Sequence, residues 1–130
     1  MKKINGKIIL NIVWILIIGL LIYSRFVNLG WGLPYPMHPD ERNMANAIQG
    51  LNCAISNIEF RISYFQSCFN PHFFAYGQFP LYLGYLITYL LKLFNGNIGL
   101  SINFQEATIS LRIISAVASM INVFFFNKNN

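Results

Sequence analysis

The stretch IILNIVWILIIGLLIY, residues 8–23, decides the class of this protein, because it is a strongly apolar run close to the start of the chain. The run continues to residue 27, and about 20 apolar residues in a helix can cross a hydrocarbon core of about 30 Å. A signal peptide would have a similar basic start, but no small-x-small cleavage site follows, so the sequence favours an uncleaved anchor. The basic residues Lys2, Lys3 and Lys7 predict a cytoplasmic amino terminus by the positive-inside rule.

The composition agrees with a membrane protein. Of the 130 residues, 55% are hydrophobic and only 10% are charged, whereas soluble domains carry about 25% charged residues. The net charge is +5, but the basic residues are scattered singly instead of forming the stripe typical of nucleic-acid-binding proteins. The sequence contains no P-loop, GxGxxG, HExxH or CxxC pattern. The sequence therefore argues against nucleic acid as a partner and against the common soluble cofactor sites.

Two further apolar segments predict a second and a third membrane-spanning helix, at residues 73–94 and 108–126. Polar and small side chains recur on one face of the third helix, where they favour contacts with other helices. They are Arg112, Ser115, Ser119 and Asn122. We predict an all-α integral membrane protein with three transmembrane helices, a long outer loop at residues 28–72 and an inner loop at residues 95–107. Because three helices bury little surface, we expect the chain to be the amino-terminal part of a larger multi-span protein.

The stretch MHPDERN, residues 37–43, concentrates charge in the outer loop, because Asp40 and Glu41 are two of only four acidic residues. Pro39 suits the first position of a helix, and acids in the first turn interact favourably with the helix dipole. A short amphipathic helix is predicted there, of the kind that lies on a membrane surface. Its apolar face consists of Met44, Ile48 and Leu51. The acidic pair either starts this helix or has a catalytic or metal-binding role.

The remainder of the outer loop holds both cysteines of the chain, Cys53 and Cys68. On the outer face disulfides persist, and the even count permits one bridge. Two buried thiols are the alternative interpretation. Between the cysteines, residues 58–64 alternate apolar and polar side chains, which is the period of a strand but also fits an extended interfacial segment.

Three short motifs and their order along the chain support a resemblance to a known family. HPDE (38–41) lies in the outer loop, NPHFFAYGQFPLYL (70–83) enters the second predicted helix, and LRIISAVAS (111–119) lies in the third. With the lysine-flanked anchor, this order resembles the amino-terminal part of polyprenol-phosphate-sugar-dependent membrane glycosyltransferases of the GT-C type, such as protein mannosyltransferases and aminoarabinose transferases. The resemblance covers residues 8–126. It departs at Phe79, where family members often have a first of two consecutive prolines.

The resemblance implies that Asp40 is the essential aspartate of the first outer loop, with Glu41 as its catalytic neighbour. It also implies substrate-binding roles for His72, Tyr76 and Gln78 at the outer mouth of the second helix. A lipid-linked donor keeps its phosphate and sugar at the level of the lipid headgroups, so a residue just outside a span is well placed to act on it.

The chemistry of such a transfer assigns further candidates. One carboxylate takes the acceptor's proton, which fits Asp40, and the departing phosphate needs positive charge, for which Arg42 and Arg61 are candidates. The carboxylate pair would prefer a divalent cation such as Mg²⁺ or Mn²⁺, with Asp40 and Glu41 as ligands. His38 is a candidate ligand or second base, or alternatively a solvated histidine that caps the helix.

These observations predict an extracytoplasmic glycosyl transfer from a polyprenyl-phosphate-linked sugar, performed in a bacterial or archaeal cell membrane. We expect the 130-residue chain to be inactive without the remaining transmembrane helices of the full-length enzyme. The alternative is a small, non-catalytic membrane protein that acts through helix–helix contacts.

Overall fold

In the parts of the chain that the structure describes, every regular element is a helix. The computed structural model describes residues 6–35, 38–51, 68–96 and 101–128. The four helices with described ends are α1 (Gly6–Phe26), α2 (Pro39–Gly50), α3 (Phe79–Phe94) and α4 (Phe104–Lys128). The predicted all-α fold is confirmed for these residues. The segment at residues 58–64, with its strand-like period, lies outside them.

Two of these helices are long and apolar enough to cross a membrane. α1 has 21 residues, and the apolar part of α4, Phe104–Phe125, has 22, which at 1.5 Å per residue gives each helix a length of about 30 Å or slightly more. No side chain of α1 is buried. α3 is equally apolar but has only 16 residues, or about 24 Å. The described residues thus contain two candidate spans and a shorter apolar helix at the position predicted for a third.

α3 is shorter than the predicted segment 73–94 because its start is set by a proline. Pro80 occupies the first turn, where a missing backbone N–H costs nothing and the fixed φ suits a helix. The backbone N–H groups of Leu81 and Tyr82 both donate to the carbonyl of Gln78, each at 3.1 Å. The aromatic residues before Gln78 therefore precede the helix and do not lengthen it.

The chain divides into two compact units, and α4 contributes to both. One unit comprises Met1–Leu29 with Ala116–Asn130, and the other comprises Gly30–Ser115. We call the latter the central unit. Its core forms where α2 packs on α3 and on the first turns of α4. The buried apolar residues of this core are Ala45, Ala47, Ile48, Leu81 and Ala107.

α2 begins at Pro39, as the sequence predicts, and its polar face is exposed. Its apolar face does not lie on a membrane surface, however, because Ile48 and Leu51 are fully buried in protein. The helix approaches α3 at Gly84, where an added Cβ would come within 2.6 Å of Cδ1 of Ile48. The sequence correctly indicated an amphipathic helix but assigned the wrong surroundings to its apolar face.

Polar side chains join α3 to α4. The hydroxyls of Thr88 and Ser110 lie 2.7 Å apart, and both residues are fully buried. One turn further along α3, the ammonium group of Lys92 pairs with Glu106 at 3.2 Å. Glu106 also accepts the N–H of Asn103 at 2.8 Å, as in a capping box at the start of α4.

A contact between α2 and the α3–α4 connection bears on membrane topology. The side-chain amide of Gln49 donates to the carbonyl of Ile102 at 3.2 Å. The sequence predicts that residues 28–72 lie on the outer side of the membrane and residues 95–107 on the inner side, so this hydrogen bond joins two segments predicted to lie on opposite faces. The described parts of both segments, from Gly30 onward, belong to the central unit.

Candidate functional site

The acidic pair on α2 has two different environments. Neighbouring residues of an α-helix point about 100° apart, because one turn contains 3.6 residues. The side chain of Asp40 is 48% exposed, whereas that of Glu41 is 21% exposed. The two carboxylates therefore do not act as one group.

Glu41 forms a bidentate ion pair with Arg112 of α4. Nε and Nη2 of the arginine donate to the two carboxylate oxygens at 2.5 and 2.8 Å. The third guanidinium nitrogen, Nη1, donates to the carbonyl of Trp31 at 2.7 Å. A planar guanidinium matches a carboxylate in this way, and lysine has no equivalent geometry. Arg112 thus connects α4 to α2 and to the segment that precedes α2.

Asp40 lies on the open side of α2, between His38 and Tyr76. One carboxylate oxygen is 3.7 Å from Nδ1 of His38, whose own side chain is 69% exposed. The hydroxyl of Tyr76 hydrogen-bonds to Asp40, and this bond, with smaller contributions from desolvation and from the carboxylate charge, raises the pKa of Tyr76 above its ordinary value. The hydrogen bond favours the neutral phenol, because a phenolate would face a carboxylate. The structure brings Asp40, His38 and Tyr76 together, as a common site requires.

His72 and Gln78 have local structural partners in the segment before α3. The backbone of His72 has φ 50°, which is uncommon for a residue other than glycine, and its N–H donates to the side chain of Asn70 at 3.1 Å. The side-chain oxygen of Gln78 lies 3.3 Å from the hydroxyl of Tyr82, which is closer, at 2.7 Å, to the carbonyl of Phe69. His72 is exposed and Gln78 half-buried.

The remaining predicted site residues are only partly described. Arg42 is exposed on the polar face of α2, and Arg61 lies outside the described residues. Cys68 is disulfide-bonded, and Cys53, its predicted partner, also lies outside them.

The pair Asp40 and Glu41 does not fit a shared divalent cation in this arrangement. Both oxygens of Glu41 accept hydrogen bonds from Arg112, so a cation would have to displace a guanidinium. Over the described ranges, no three His, Cys, Asp or Glu side chains group closely enough to hold a metal ion.

The ion pair of Arg112 with Glu41, which are 71 residues apart, was not predicted from the sequence. A usable signal existed, because a charged side chain in an apolar helix needs a partner and the chain has only four acids. Lys92, in the last turn of α3, pairs with Glu106 by the same logic. Tyr76 was expected to bind substrate, and its contact with Asp40 adds a role that the sequence could not indicate.

Comparison with known proteins identifies no relative: no family model, no curated protein and no solved structure matches this chain. The fold and the site define a class and no more. Over its described residues the chain is all-helical, with two helices that are candidates for crossing a membrane.

Proposed function

We propose that this chain supplies the acceptor-activating part of a membrane glycosyltransferase, which transfers a sugar from a polyprenyl-phosphate-linked donor to an acceptor on the extracytoplasmic side. The observation that carries the proposal is the environment of Asp40. Its carboxylate is solvent-accessible, lies on a packed helix and is close enough to Tyr76 to raise the pKa of that phenol. The carboxylate of its neighbour Glu41 is engaged in an ion pair with Arg112.

In the proposed reaction, Asp40 accepts the proton of the acceptor's nucleophilic oxygen or nitrogen. The nucleophile forms a bond to the anomeric carbon of the sugar as the bond from that carbon to the phosphate oxygen breaks. The electron pair leaves with the polyprenyl phosphate, for which Arg42 and Arg61 are the proposed cationic partners. His38 and Tyr76 orient Asp40, and His72 and Gln78 are proposed to contact the substrate. No step passes through a metal ion, because the acidic pair does not fit one.

The proposal includes a membrane topology. α1 and α4 cross the membrane, the amino terminus is cytoplasmic, and the central unit lies at the outer face of a bacterial or archaeal cell membrane. The support is the bond between Gln49 and Ile102 and the short length of α3. At about 37 Å for 25 residues, α4 exceeds a hydrocarbon core of about 30 Å, so its first turns can remain in the central unit. Further transmembrane helices of a longer protein are the proposed partners.

The deciding experiment is the substitution Asp40→Asn in the full-length protein that contains this segment. Asparagine keeps the size and most of the hydrogen-bonding capacity of the side chain but cannot accept the proton. Turnover with a polyprenyl-phosphate sugar donor should fall by ~10²-fold or more, in line with usual general-base contributions. Asn46→Asp, at an exposed position of α2 that does not lie on the same face as Asp40, is the control that adds charge to the same helix away from the site. Near-normal transfer by Asp40→Asn would disprove the catalytic role.

A non-catalytic membrane protein is the second candidate, and the exposed apolar surface of α1 favours it. Leu16 and Leu20 are 66% and 69% exposed, and such surface suits contacts with other helices as well as with lipid. This function predicts that Asp40→Asn leaves partner binding intact, whereas polar substitutions at Leu16 and Leu20 abolish it. Co-purification of a partner subunit that depends on these leucines would support it.

A further inference from the structure

The two adjacent acids, Asp40 and Glu41, have different contacts. Both were candidates for chemistry in the sequence, and the side chain of Asp40 is 48% exposed whereas that of Glu41 is 21% exposed. Both carboxylate oxygens of Glu41 accept hydrogen bonds from the guanidinium of Arg112.

Arg112 ties three segments of the central unit together. Two nitrogens bind Glu41 in the first turn of α2, and the third binds the carbonyl of Trp31, in the segment that precedes this helix. Its own backbone lies in α4, and its side chain is only 19% exposed. The three hydrogen bonds engage all three nitrogens of the guanidinium.

The amino-terminal end of α2 needs such an attachment. Its N-cap residue, His38, makes no side-chain hydrogen bond to the helix. The packed residues Ala45, Ala47 and Ile48 all lie in the second half, where Gln49 also bonds to Ile102. The pair of Glu41 with Arg112 therefore holds the end of the helix from which Asp40 projects.

We propose that Glu41 and Arg112 are positioning residues for Asp40, and that Glu41 is not a second catalytic carboxylate. Because the two acids are adjacent on one helix, fixing the rotation of Glu41 toward α4 fixes the direction of Asp40 toward Tyr76 and the acceptor. The proposal rests on the proposed role of Asp40 for its catalytic consequence, but the division of roles itself is testable without any activity.

The first experiment measures carboxyl reactivity in the purified full chain. A water-soluble carbodiimide with an amine nucleophile modifies accessible carboxylates, and mass spectrometry of peptides that contain both acids locates the modification. We expect modification at Asp40 and protection at Glu41. In Arg112→Gln, Glu41 should become reactive. Equal modification of the two acids in the unsubstituted protein would overturn the proposal, whatever the protein catalyses.

The matched control is Lys92→Gln, which breaks a different ion pair of the central unit, between α3 and Glu106 of α4. This variant should leave Glu41 protected even if it lowers the melting temperature. Exposure of Glu41 in Lys92→Gln to the extent seen in Arg112→Gln would mean that general loosening, not loss of the specific pair, causes the reactivity. That result would also overturn the proposal.

The second experiment separates positioning from contact with substrate. A misplacement of about 1 Å in a catalytic group can cost ~10²-fold, so Arg112→Gln should lower kcat by ~10- to 100-fold with little change in KM for the donor. Arg112→Lys keeps the charge but cannot form the bidentate hydrogen bonds to Glu41. Its kcat should lie between that of Arg112→Gln and that of the unsubstituted protein. If Arg112 binds the donor phosphate instead, KM should rise in both variants and kcat should be less affected.

Coupling between the two residues supplies the last readout. When two residues act only through each other, the double variant is no worse than the single ones. Glu41→Gln with Arg112→Gln should match Arg112→Gln alone, in kcat and in the reactivity of Asp40. Additive losses of kcat would assign Glu41 a catalytic role of its own. Absence of any transfer in the full-length protein would remove the proposed function, and the carbodiimide result would still decide the positioning role.

Discussion

α1 and the central unit differ in how their side chains are buried. In α1 no side chain is buried, and where this helix and the carboxyl-terminal part of α4 line a groove, the lining is almost wholly apolar, as with Trp14, Ile18 and Phe124. The central unit instead gives its buried polar groups partners: Thr88 and Ser110 are both buried and bond to each other, and the buried Lys92 pairs with the half-buried Glu106. Composition alone describes the first region, whereas the second depends on specific partners. The comparison makes α1 a candidate for contact with lipid or with other helices, whereas protein partners satisfy the polar groups of the central unit.

The largest expected effect is all-or-none and concerns the side of the membrane on which the central unit lies. Single cysteines at Asn5, Asn46 and Asn95 should be tested with a membrane-impermeant maleimide in intact cells. We expect Asn46→Cys and Asn95→Cys to react and Asn5→Cys to react only after permeabilisation. The reason is that α2 and the start of the α3–α4 connection belong to one packed unit.

The unsubstituted protein is the control for background reaction, because Cys68 is disulfide-bonded and a disulfide does not react with maleimide. Labelling of Asn46→Cys from outside but of Asn95→Cys only after permeabilisation would restore three spans. It would also mean that the bond between Gln49 and Ile102 does not form in the membrane.

The next effect compares one glycine in each region. Gly84→Ala places a Cβ 2.6 Å from Cδ1 of Ile48 and 3.4 Å from a methyl of Leu111. Overpacking costs about 1–3 kcal/mol, partly offset by the roughly 1 kcal/mol by which alanine favours a helix. Gly19→Ala in α1 meets nothing within 4 Å and should stabilise or be neutral. Thermal unfolding in one detergent measures both.

Equal melting temperatures for the two glycine variants would mean that α2 does not pack against α3. The difference between the regions would then have no energetic basis at this position. A loss in Gly84→Ala that is relieved by Ile48→Val would confirm that the contact itself is responsible.

A smaller effect compares two side-chain hydroxyls. Thr88→Val keeps the shape of the side chain but removes the hydroxyl that bonds to Ser110 and to the carbonyl of Gly84. We expect a loss of about 1 kcal/mol, the usual net value of a buried hydrogen bond. Ser24→Ala in α1 removes a hydroxyl that bonds only to the exposed carbonyl of Leu21 and should cost much less. Chemical unfolding of the two variants under identical conditions provides the measurement. A similar loss in both would contradict the assignment of protein solvation to the central unit.

Sequence patterns predicted the elements better than their partners. α1 follows from its apolar run, and α2 from Pro39 with an acidic first turn, because these signals are local. The extent of α3 was overestimated, since aromatic residues before Pro80 have the composition of a span but not its backbone. Which surface covers Ile48, and which cation pairs with Glu41, depend on residues far along the chain. A single sequence offers only the general rule that charges in apolar surroundings are paired.

The same limit applies to the candidate site. Asp40 was identified by the charge concentrated in MHPDERN and by the resemblance, which implies an essential aspartate in the predicted outer loop, and its exposure agrees with a reactive role. The two members of the acidic pair could not be told apart in the sequence, because a spacing of one residue gives a direction only after the helix has docked. Docking turned Glu41 toward Arg112 and left Asp40 with Tyr76 and His38.

The smallest expected effect is a titration at the open margin of the central unit. The hydrogen bond and the charge of Asp40 raise the pKa of Tyr76 above its ordinary value. Asp40→Asn removes the charge, so the pKa of Tyr76 should move down toward the ordinary value. Tyrosine ring NMR resolves one of the seven tyrosines, and Tyr76→Phe assigns the signal. Because the pKa of Tyr76 is raised in the folded state, the contribution of its contact with Asp40 to the stability of the fold is present below pH about 10. That contribution is lost as the pH rises through the folded-state pKa. Any excess in the free energy of unfolding of the unsubstituted protein over Tyr76→Phe should therefore disappear at increasing alkaline pH. A pKa of Tyr76 unchanged by Asp40→Asn would mean that the two side chains do not meet, and Asp40 would lose the contact that orients it.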